Sequence, residues 1–144
     1  MVEHSRFEHE KLDWSENLEC GLLSNLSFPN RMPFLVEKLN VYQKAVDFAE
    51  AVGHVTEMFP RGHTYLADQL NRAATSISAN LAEGNGRSHK PDRRRFFFIS
   101  RGSAFECLPL LELARRKNLL AAERHRVLYG QLEEISKMLS GLLA

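Results

Sequence analysis

The chain has 144 residues, 44% of them hydrophobic, with a formal net charge of +1 and two cysteines. That is the size of one domain able to bury a core without disulfides or metals, and Cys20 and Cys107 show no CxxC spacing for zinc or redox chemistry. No apolar run approaches the ~18 residues that cross a bilayer, and the acidic N-terminus lacks signal-peptide order, so a protein of the reducing cytoplasm with no membrane contact is expected.

The small net charge conceals an asymmetry. Residues 1–36 hold six acids and three bases, leaving 16 bases against 12 acids in the remainder. Residues 1–33 scatter Phe7, Leu12, Trp14, Leu18, Leu22 and Leu23 among those acids. The breaker cluster Ser27-Phe28-Pro29-Asn30-Arg31 then follows, so this stretch reads as a poorly ordered N-terminal extension. Met32 is an alternative start, because the strongly patterned region begins just after it; a native peptide beginning upstream would exclude that.

From about Glu37, Val41, Ala45, Phe48, Val52, Val55 and Phe59 alternate spacings of four and three, which predicts an amphipathic helix ending at Pro60-Arg61-Gly62. A second helix is expected from His63 or Thr64, acting as N-cap, to Glu83, with Gly84 as the left-handed residue that stops it. Pro91 and Asp92 suit the first turn of a third helix reaching Lys117, with a kink expected at Pro109 where a backbone donor is missing. Leu128, Leu132, Ile135, Leu139 and Leu142 mark a fourth. Residues 34–144 therefore read as an all-α, antiparallel up-down-up-down four-helix bundle.

The second helix carries two stripes. Leu66, Leu70, Ala74, Ile77 and Leu81 are the apolar one and the evident core face. Beside it Gln69, Ser76 and Glu83 fall seven apart, interleaved with Ala73, Asn80 and Arg87. Buried polar groups need partners, and the third helix offers Arg95, Ser103 and Glu106 beside the small residues Ser100, Gly102 and Ala104. Arg72 is placed to pair with Glu106 across the two helices. Glu83, at the negative end of its helix, needs a base such as Arg87, Arg95 or Arg101. A register-fixing polar network is the favoured reading over a catalytic one.

Downstream, Arg87, Lys90, Arg93, Arg94, Arg95 and Arg101 are opposed only by Asp92. Such density suits phosphate backbones, RNA or DNA, through counterion release; a solvated, partly ion-paired face is an equally good reading. Phe96, Phe97 and Phe98 fit core and subunit contacts better than a base-stacking platform. The six histidines show no metal-ligand spacing, and Gly84-Asn85-Gly86-Arg87 lacks the Gly-Lys-Ser/Thr ending of a Walker loop. No Gly-x-Ser-x-Gly elbow is present, and neither catalysis, metal nor cofactor is expected.

Glu37-Lys-Leu-Asn-Val-Tyr-Gln-Lys-Ala45, the Phe59-Pro60 stop, Gln69 to Ile77 continuing to Asn80-Leu-Ala-Glu-Gly84, and Gly102-Ser-Ala-Phe-Glu106 together resemble the four-helix-bundle proteins encoded in intervening sequences of bacterial large-subunit ribosomal RNA genes. The resemblance spans roughly residues 32–143, with Pro109 departing from the uninterrupted helix of the pattern. It implies a non-enzymatic protomer that assembles as a homopentamer. It also extends to the accessory protein of diversity-generating retroelements, which partners a reverse transcriptase and nucleic acid through a basic surface. The polar signature maps onto Gln69, Arg72, Ser76, Asn80, Glu83, Ser103 and Glu106, as structural identity. The expected function is an oligomeric bundle binding RNA or nucleoprotein through the arginine cluster; the alternative is a protein-interaction scaffold. An enzyme built on the polar network ranks third.

Overall fold

Apolar residues spaced four and three apart wind onto one side of each of four helices, and burial of those sides builds the fold. The computed structural model describes residues 34–144, and the expectations for residues 1–33 lie outside the described residues. The helices are α1 (Asn40–Thr56), α2 (Thr64–Asn85), α3 (Lys90–Arg116) and α4 (Ala122–Leu143), with no strand among the described residues. Each packs on its chain neighbours and α4 closes back on α1, giving the all-α four-helix bundle. The α2–α3 interface is the most extensive.

The core runs through Phe48 and Val52 of α1, Leu66, Leu70, Ile77 and Leu81 of α2, Cys107 and Leu111 of α3, and Leu132, Ile135 and Leu139 of α4. Two positions depart from the expected stripes. Thr56 rather than Val55 is fully buried, its hydroxyl donating to the Gly53 carbonyl (3.0 Å) and accepting from the Asn71 amide (2.8 Å). In α4, Leu143 is buried while Leu142 is 40% exposed, because a 3.6-residue repeat drifts from a strict heptad.

Helix ends differ more. Leu35–Lys38 forms a separate 3₁₀ turn, and extended backbone at Leu39 delays α1 to Asn40. Thr64 is the first residue of α2 rather than its cap, and the N-cap His63 makes no side-chain capping bond. Gly84 is not the left-handed stop: it lies buried inside α2, which continues to Asn85, and Gly86 follows at a φ of −75°. Asn118 instead holds the left-handed conformation (φ 55°) after α3. There the Leu119 amide reaches back to the Ala114 carbonyl (2.9 Å) and the Asn118 amide to that of Arg115 (3.0 Å), the Schellman arrangement. α3 is continuous through Pro109.

Candidate nucleic-acid interface

The seam between α2 and α3 is where the polar stripe meets its partners. The Asn80 amide donates to the Ser76 hydroxyl (2.9 Å) and Ser76 carbonyl (2.8 Å), Ser76 shares a 2.8 Å hydrogen bond with Ser103, and Ser103 donates to the Ile99 carbonyl (3.1 Å). One direction satisfies all of them: Asn80 donates to Ser76, Ser76 to Ser103, and Ser103 to the Ile99 carbonyl. Ser100, fully buried, donates to the Ile77 carbonyl at 2.8 Å and ties the helices a second time. Spacing alone does not place Ser100 in this network, though its offset of three from Ser103 puts it on the same face.

The rest of the signature lies outside that seam. Glu83 pairs with Arg87 one turn on, an exposed ion pair offsetting a carboxylate at a helix C-terminus. Gln69, Arg72 and Glu106 are exposed, and among the described residues no ion pair joins Arg72 to Glu106. A shallow hollow of about 410 Å³, lined by Ala79, Ala82, Glu83, Gly86 and Arg87, opens at this end of α2. Its two charged side chains are already engaged with each other.

The arginine cluster divides in two. Arg87 and Arg93 build the turn: Arg93 donates to the Arg87 carbonyl through Nε (3.2 Å) and Nη2 (2.9 Å), and the Arg87 guanidinium lies 5.1 Å from the Phe96 ring centre. His89 and Asp92 approach to 3.2 Å on the same turn. Lys90, Arg94, Arg95 and Arg101 form no ion pair among the described residues, and the first three are exposed. Arg94 lies over Phe98 (5.2 Å) and Arg101 over Phe105 (5.4 Å).

A family model described as 23S rRNA-intervening sequence protein matches residues 37–141. The chain belongs to that family. A solved structure from Bacteroides thetaiotaomicron, a protein with unknown function from the S23 ribosomal protein family, resembles it with a TM-score of 0.67. It is 24% identical, covering 72% of this chain and 97% of that one, a likeness of fold. No curated protein matches.

In this intervening-sequence family protein, Gly84 sits where α2 and α3 approach, the tightest site among the described glycines. A Cβ there would lie 2.9 Å from Phe97 Cδ1 and 3.0 Å from Phe96 Cβ, so glycine is what permits α2 and α3 to meet. The run Arg93 to Phe98 is thereby split by helix geometry: Phe97 is buried, Phe96 half-buried and Phe98 exposed. Among the described residues no cluster of His, Cys, Asp and Glu could hold a metal ion, and no helix is long and apolar enough to cross a membrane.

Proposed function

We propose that this intervening-sequence family protein is a non-enzymatic, oligomeric bundle of the cytoplasm that binds structured RNA through the basic N-terminal half of α3. The observation that carries this is the set Lys90, Arg94, Arg95 and Arg101, cations left without acidic partners among the described residues, beside Arg87 and Arg93. Uncompensated cations on one helix bind polyphosphate by releasing its counterions. The family's association with ribosomal RNA genes supports RNA as the polyanion. Assembly into a ring, pentameric by resemblance, would multiply weak phosphate contacts.

Binding to large-subunit ribosomal RNA fragments across a salt series tests this. Affinity should fall steeply with salt. Arg94→Ala, Arg95→Ala and Arg101→Ala together should reduce the logarithmic slope by roughly one per lost phosphate contact. Absence of binding at low salt, or an unchanged slope, defeats the reading, and a monomer in sedimentation removes its oligomeric part. The second reading, a protein-docking scaffold, draws on the exposed Phe98, Ile99, Phe105 and Leu113 of α3. Partner association that survives nuclease would favour it.

A further inference from the structure

The outward side of α3 carries aromatic residues for which the protomer's core has no use. Phe98 and Phe105 are each 48% exposed. At ~100° per residue they share a side of α3 with Gly102 and Pro109, opposite the buried row Phe97, Ser100, Cys107 and Leu111. Neither ring fills the interior, so folding alone does not account for it.

The pattern also repeats. Arg94 lies over Phe98 and Arg101 over Phe105, so one arginine–phenylalanine pair recurs after seven residues. Seven residues of helix rise ~10.5 Å, which sets the two rings along one side of α3.

We propose that this face of α3 binds an unpaired RNA strand, its bases stacking on Phe98 and Phe105 and its phosphates meeting Arg94, Arg95 and Arg101. This rests on the basic-surface reading and adds the ligand's form. A duplex hides its base faces, whereas unpaired bases present them to aromatic rings, and stacking tolerates any sequence. Each guanidinium lies over its ring, and each ring stays about half exposed. The arginines beside these rings have no acidic partner among the described residues, so the charge of this side favours a polyanion.

The test compares a short unpaired oligoribonucleotide with a duplex of the same sequence, titrated against the full chain by fluorescence anisotropy. The single strand should bind at least about tenfold tighter. Phe98→Leu with Phe105→Leu keeps apolar surface but removes the rings; it should abolish that preference and leave duplex binding unchanged. Phe98→Tyr with Phe105→Tyr should retain the preference. Equal affinity for the two RNAs, or a leucine pair that still prefers the single strand, overturns the proposal. Salt-dependent duplex binding with those results leaves the phosphate surface standing and removes only the stacking; no binding of either RNA at low salt removes both. A smaller assembly mass for the leucine pair would assign the face to a second copy and likewise overturn it.

Discussion

At Gly84 the missing side chain decides how closely two helices approach. A methyl group would press on the Phe97 ring at 2.9 Å and on the Phe96 stem at 3.0 Å, and the stem cannot swing aside. Gly84→Ala should therefore cost about 1–3 kcal/mol in guanidinium unfolding. Gly86→Ala, where the nearest atoms are backbone oxygens at 3.5 and 3.6 Å and φ is ordinary, should be neutral or stabilise by up to about 1 kcal/mol. Equal effects at the two glycines would refute this assignment. Cys107 gives a related lesson. Burial first, and the Glu106 carboxylate second, push its thiol up to about 12, so it is a core side chain with almost no thiolate at neutral pH. Ser76, Asn80 and Ser103 were legible as a network because periodicity reveals a shared face. The Arg72–Glu106 pairing expected from the same reasoning does not form among the described residues, because a face does not specify which long side chains meet across it.

At the scale of elements, α3 is the unusual helix. It is 27 residues long, holds Pro109 in its interior and ends at a left-handed Asn118. Pro109 leaves the Phe105 carbonyl without its usual amide donor, yet the residue is exposed, so the helix is held by the rows packing on α2 and α4 rather than by unbroken hydrogen bonding. Pro109→Ala restores the donor without opening a cavity and should raise stability by about 1–3 kcal/mol. A lowered melting temperature would mean that α3 has adapted its packing to the proline. α1, α2 and α4 were legible from apolar spacing and α3 from Pro91-Asp92 to Lys117, within a residue of its Lys90–Arg116 span, whereas α1 starts and α2 stops away from their expected ends. None of the four N-caps makes a side-chain bond, so capping residues do not mark these starts, and only that of α3 is announced by a first-turn proline.

For the whole molecule, the acid dependence of folding is tested at Glu112 of α3. Hydrogen bonds from Arg115 and then Arg116 hold the Glu112 carboxyl down at about 2, against an ordinary 4.5, and His125 of α4 approaches it to 3.7 Å. A depressed folded value means its contribution is complete above pH 4.5 and is lost as pH falls toward 2. Glu112→Gln should flatten that acid limb of the melting temperature; an unchanged limb would show that the ion pairs add nothing, as exposed pairs often do. Helical period and composition are local properties that survive without a fold, so the four helices, their order, the apolar sides that close the bundle and the family are readable from the residues alone. Packing between helices makes Gly84 a contact rather than a stop, sets Arg87 and Arg93 to brace the α2–α3 turn while Arg94, Arg95 and Arg101 stay without acidic partners among the described residues, and turns Phe97 inward and Phe98 out. Those outcomes depend on which neighbouring helix each side chain meets, and adjacent residues on a helix point ~100° apart.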